Sequence, residues 1–195
     1  VLRNIIAEPQ LIEAAIAGVG DYLCRYYERL ARAASGKAQI LGYGDDFAGQ
    51  NGMLISPGHW RRFFLPLLKK LFAIGHKYGF KNQMHMCGSI RPVIPDLIEA
   101  GLDIYENLQS KTKGMDAAGL KRDFGRDLVF YGGIDVQQDL PFLTPSEIFD
   151  ETRRFIDIMA GDGGYILAST HFLLGDIPAK NVIAMYEAAG SLQRP

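Results

Sequence analysis

The chain carries little that would let it work by charge, by cross-linking or by membrane insertion. Its 195 residues contain only two cysteines, Cys24 and Cys87, too few for a disulfide framework, and a reducing, cytoplasmic setting is expected. No uninterrupted apolar run approaches the roughly 18 residues of a membrane span, and Val1-Leu2-Arg3-Asn4 has no signal-peptide layout. The start also lacks an initiator Met, so a fragment or a processed chain is expected. Charge of one sign is missing as well: 21 Lys+Arg face 22 Asp+Glu, a formal net charge of -1. That balance argues against nucleic acid or an anionic membrane surface as the main partner, because both normally require a basic excess. What remains, with 48% hydrophobic and 22% charged residues, is a globular chain able to bury a core, for which a small-molecule substrate is the default expectation.

Residues 1–36 are read mainly as a long helix leading into the first strand. Ile12, Ile16, Val19, Leu23, Tyr27 and Leu30 recur every three or four residues from Glu8 to about Ala34, with Pro9 suited to a first turn. The apolar stretch Ala38 to Gly44 reads as a buried strand with Asp45-Asp46 in the loop beyond it. Ser56-Pro57 opens one helix expected to run to about Gly79, and Lys81 to Cys87 is the next strand. Val93–Ala100 is a helix, Leu102–Tyr105 a strand, Met115–Phe124 a helix and Asp127–Gly132 a strand. Thr144-Pro145-Ser146-Glu147 is a capping box for a helix to about Ala160. Gly164–Ser169 is the last strand, and Asp176-Ile177-Pro178 leads into a final helix.

Strand and helix thus alternate five times, from near residues 38, 82, 102, 127 and 164, with no linker between them. Alternation of this kind predicts an α/β chain with a parallel sheet covered by helices. No G-x-G-x-x-G follows the first strand, so a Rossmann dinucleotide site has no support. Polar residues instead end the predicted strands: Asp45 and Asp46, His85 and Cys87, Glu106 and Asn107, Asp135, then Ser169, Thr170 and His171. An active site forms at that end in a (β/α)8 TIM barrel. A full barrel takes about 250 residues, so residues 1–195 are expected to be one domain forming its C-terminal part, three strands preceding Val1.

His85-Met86-Cys87 is the most informative triplet. Alternation along a strand would aim His85 and Cys87 at the same face, and imidazole nitrogen with thiolate sulfur is a donor set zinc favours. The same triplet also reads as a buried strand with a hydrogen-bonded histidine and a cysteine serving as a small hydrophobe. Gly88 and the strand-end position weigh toward metal. His171 is the natural third polar group, or else a solvated loop histidine. Asp46 offers a ligand, a base or a substrate acceptor, against a plain loop or cap role, and Asp135 after Gly132-Gly133 poses the same choice with a turn. Gly161-Asp162-Gly163-Gly164 precedes a strand and therefore reads as a helix end and turn, not a phosphate cradle.

Several of these stretches, in order, resemble the uroporphyrinogen decarboxylase superfamily: Gly44-Asp45-Asp46-Phe47, Leu54-Ile55-Ser56-Pro57, His85-Met86-Cys87-Gly88, Gly101-Leu102-Asp103, Tyr131 to Asp135, and Tyr165 to His171 followed by Asp176-Ile177-Pro178. The resemblance runs from about residue 38 to 190. It implies a (β/α)8 barrel and one of two activities: cofactor-independent decarboxylation of uroporphyrinogen, or zinc-dependent methyl transfer between a corrinoid protein and a thiol. The H-x-C-G stretch is similar to the methyltransferase branch, which makes His85 and Cys87 zinc ligands by position. Where those methyltransferases supply a further cysteine near the last strand, this chain has Ser169-Thr170-His171. Either His171 replaces that ligand, or Asp46, Glu106 or Asp135 does, or the site has lost metal; His171 also resembles a histidine that the decarboxylases keep. The expectation is therefore a zinc methyltransferase with metal ligands His85, Cys87 and His171, catalytic Asp46, Asp135 and His171, and a corrinoid protein as partner. A metal-free tetrapyrrole decarboxylase and a non-catalytic ligand-binding barrel are the alternatives.

Overall fold

The computed structural model describes residues 2–190, which fall into two compact units that divide between Ile104 and Tyr105. In the first, α1 (Asn4–Ala7) precedes α2 (Pro9–Ala34), a long amphipathic helix with proline in its first turn. β1 (Ile40–Gly44) follows, then a short antiparallel hairpin, β2 (Ala48–Gly49) and β3 (Gly52–Met53). That hairpin was not anticipated; its two-residue loop is Gln50-Asn51, between the paired Gly49 and Gly52.

Ser56 caps α3 (Pro57–Phe63), its hydroxyl accepting the His59 N–H at 3.2 Å. The single helix expected from Ser56 to Gly79 is in fact two, since α4 (Leu65–Lys77) starts afresh after Phe64. Pro66 explains the break: it has no N–H to donate and its ring crowds the carbonyl four residues back. β4 (Lys81–His85) then lies parallel to β1, in a register that pairs Ile40 with Lys81 and Gly44 with His85. A 3-10 turn (Arg91–Val93) and α5 (Ile94–Ala100) follow, and Gly101 at φ 104 ends the helix in the left-handed conformation that glycine tolerates.

Wholly buried Asn82 ties the β1–β4 pair to the helices. Its amide donates to the Phe72 and Gly101 carbonyls at 3.0 and 2.9 Å, and its Oδ1 lies 3.2 Å from the Tyr43 hydroxyl oxygen. Trp60, Phe72 and Met84 are buried in this unit, and Ile5, Ile12 and Phe63 form a second cluster where α1 and α2 meet α3.

The second unit holds β5 (Ile104–Leu108, whose first residue closes the first unit), α6 (Ala117–Phe124), β6 (Val129–Ile134), α7 (Pro145–Met159), β7 (Tyr165–Ser169) and α8 (Ala179–Gly190). β6 lies between β5 and β7 and runs parallel to β7, pairing Phe130 with Tyr165 and Ile134 with Ser169. The capping box at Thr144 and Glu147 is formed. Gly133, at φ 107, meets the Phe155 ring where a side chain would begin, so only glycine lets α7 sit this close to β6. The glycine run from residue 161 is the turn after α7, held by Lys121, whose ammonium donates to the Gly163 carbonyl at 2.6 Å. Among the described residues no helix is long and apolar enough to cross a membrane.

Strand boundaries differ from expectation: β6, expected over Asp127–Gly132, begins and ends two residues later, and two other differences bear on the site. β4 ends at His85, so Cys87 lies in the loop and strand alternation is not what orients it. β5 runs to Leu108, which places Glu106 and Asn107 within the strand, Asn107 being buried. A strand in a helix-covered parallel sheet is buried on both faces, and its ladder is blind to side-chain polarity.

Candidate metal centre

The register that sets Gly44 beside His85 brings the two following loops together. The Asp45 N–H donates to the His85 carbonyl at 3.1 Å, carrying the ladder one step past the strand. The chain then turns: the Cys87 N–H donates to Asp46 Oδ1 at 2.8 Å, and the Ser89 N–H to the Gly49 carbonyl at 3.0 Å. Between them Gly88 adopts φ 85 with its Cα against the β2 backbone. The result returns the cysteine toward the histidine, Cys87 Sγ lying 3.5 Å from His85 Nε2. Both residues are partly buried.

That separation is a test of fit for zinc. Bonds of about 2.05 Å to nitrogen and 2.3 Å to sulfur, opened to a tetrahedral angle, set the two donor atoms about 3.6 Å apart. His85 and Cys87 have the donor chemistry and the spacing to share one ion. Asp46 enters as the carboxylate that holds the cysteine's backbone, a contact spanning 41 residues of sequence that no local pattern could announce. Its neighbour Asp45 has its carboxyl raised above the ordinary range, chiefly by burial and further by the Asp46 charge, with the Asp46 N–H opposing.

In the second unit Asp135 and His171 follow β6 and β7 respectively. Asp135 is buried, and its Oδ1 accepts the N–H groups of Gln137 and Gln138 at 2.9 and 2.5 Å, closing a turn. Buried Thr170 joins the two strand ends: its N–H donates to the Ile134 carbonyl at 2.8 Å and its hydroxyl accepts the Val136 N–H at 3.2 Å. His171 is exposed, its ring edge-on to Phe172 at 5.0 Å between centroids, and the Ser169 hydroxyl donates to its carbonyl at 2.6 Å. An ion pair between Lys111 and buried Asp139 lies beside the Asp135 turn, and neither residue was singled out from the sequence.

Residues 1–192 match the family described as uroporphyrinogen decarboxylase (URO-D). The chain belongs to that family. A methylated-thiol–coenzyme M methyltransferase of Methanosarcina mazei is 26% identical over 152 residues, covering 76% of this chain and 37% of the relative. A solved methyltransferase structure from Methanosarcina mazei superposes with a TM-score of 0.75 at 20% identity, over 97% of this chain and 52% of that one. The chain thus spans about half or less of the proteins it matches. The structural likeness is one of fold, and this URO-D chain is an α/β chain forming part of a (β/α)8 barrel. Its relatives include methyltransferases.

Proposed function

We propose that this URO-D family member is a zinc-dependent methyltransferase that moves a methyl group between a corrinoid protein and a thiol. The observation that carries the reading is the 3.5 Å approach of Cys87 Sγ to His85 Nε2, which suits a shared ion. His171 is proposed as the third ligand, because the strands of a parallel barrel all end on one face and this histidine follows the last of them. Zinc bound there would lower the pKa of an incoming thiol and hold it as a thiolate at neutral pH.

The chain's own residues supply the frame for that chemistry. Asp46 fixes the Cys87 backbone through one oxygen, and Asp135 fixes its own turn through one oxygen. In both, the second oxygen is assigned to orienting substrate or completing coordination. A methyl-corrinoid partner would supply the methyl group to the thiolate sulfur and keep the electron pair of the broken bond, the thiol proton having passed to solvent. The name of the Methanosarcina relative supports a thiol as acceptor. A reducing cytoplasm belongs to the same reading, since two cysteines are too few for a disulfide framework.

Metal analysis of the purified protein tests this. Stoichiometric zinc that falls away in Cys87→Ser, in His85→Ala and in His171→Ala is the expected result. Absence of metal together with turnover of uroporphyrinogen would replace the proposal with the decarboxylase chemistry of the same family.

A further inference from the structure

A recess of about 110 Å³ opens between α2, β1 and α4 in the first unit. Four of the side chains around it are aromatic: Tyr27 and Tyr43 with ring centroids 4.6 Å apart, and Phe47 and Phe64 at 5.1 Å. The rest of the lining is leucine, methionine and glycine, with one exception. Among the described residues that line it, Asp45, exposed at the rim, is the only carboxylate, and none is a lysine, arginine or histidine.

The polar atoms decide what could enter. The Tyr27 hydroxyl donates to the Gly42 carbonyl at 3.1 Å and the Tyr43 hydroxyl to the Leu71 carbonyl at 2.9 Å, so neither proton is offered to the recess. The Asp45 and Asp46 backbone N–H groups are likewise committed, to the His85 carbonyl and to Asp45 Oδ1. An anion would find no lysine, arginine or histidine among the lining residues. A cation would find a carboxylate and neighbouring aromatic rings, whose quadrupoles attract positive charge at their faces. The volume is smaller than the roughly 150 Å³ cavity that accommodates benzene, which limits the guest to about five heavy atoms.

We propose that the recess framed by Tyr27, Tyr43, Phe47 and Phe64 with Asp45 at its rim is a binding site for a small apolar ammonium ion. The ammonium head meets the Asp45 carboxylate and the alkyl part lies on the rings. This site is independent of the metal reading, since it uses neither His85 nor Cys87.

Titration calorimetry with n-butylammonium chloride tests it, with n-butanol and butyrate as neutral and anionic counterparts of like shape. Saturable butylammonium binding is expected, about tenfold or more tighter than butanol, with butyrate not bound. Asp45→Asn should erase the preference for the cation, and Leu23→Trp, which fills the recess and leaves the carboxylate in place, should abolish binding. Circular dichroism establishes that each variant is folded. Absence of saturable butylammonium binding, equal affinity for butanol, or unchanged binding in folded Asp45→Asn or Leu23→Trp would each overturn the proposal.

Discussion

Gly88→Ala isolates the turn that presents Cys87. At φ 85 an alanine carries left-handed strain of about 1–2 kcal/mol. The new Cβ would stand 2.7 Å from the Ala48 carbon and oxygen and from the Gly49 oxygen, all backbone atoms with no rotamer to escape into. Relief requires the loop to move off the hairpin, which disturbs the bonds from the Cys87 N–H to Asp46 and from the Ser89 N–H to Gly49. At about 1 kcal/mol for each bond, total destabilisation is about 3–4 kcal/mol. For a chain of this size that lowers Tm by about 5–15 °C. Urea titration followed by fluorescence gives the free energy directly. Gly18→Ala is the control: Gly18 lies in α2 with nothing within 4 Å of the added methyl, and alanine there should stabilise by about 0.5–1 kcal/mol. A Gly88→Ala protein within about 0.5 kcal/mol of the parent would refute the steric argument.

Three further outcomes follow from single contacts. Burial alone would raise the Asp103 carboxyl, but Lys81 at 2.8 Å, the Asn82 N–H at 2.9 Å and His76 at 2.7 Å hold it below the ordinary range. Its contribution to stability is therefore complete above the unfolded pKa of about 4 and is lost as pH falls through the lower folded value; acid titrations of Asp103→Asn should show a shallower decline, and identical curves would count against the cluster. Thr152 is wholly buried with an unpartnered hydroxyl, so Thr152→Val should be neutral or stabilising by up to about 1 kcal/mol in thermal melts; clear destabilisation would mean the hydroxyl has a partner. Thr144→Ala removes the α7 cap and should cost about 1 kcal/mol, read as faster amide exchange in the first turn of that helix.

Features governed by near neighbours were legible in the sequence. Pro9, Ser56-Pro57 and the Thr144–Glu147 box mark their helices correctly because a cap depends on residues three apart. The break at Phe64 was legible too, in Pro66, but the apolar periodicity on either side masked it. The end of β4 was not, because what stops the ladder is the Asp46 carboxylate taking the Cys87 N–H from far along the chain. For β5 the polar pair Glu106-Asn107 imitates a loop, although both residues lie within the strand. His85 and Cys87 stood out as donor types. What draws them to 3.5 Å, a left-handed glycine backed onto a hairpin, became visible only in three dimensions.

The division into two compact units decides which probe sees which event. Trp60 is the chain's single tryptophan, wholly buried and within the first unit, so indole emission is a local reporter and the second unit is silent to it. Gly88→Ala should move the fluorescence midpoint. Thr144→Ala and Thr152→Val should be seen first in far-ultraviolet ellipticity or in amide exchange of α7, with the two spectroscopic midpoints parting company. Coincident midpoints in every variant would mean that the units melt as one cooperative body.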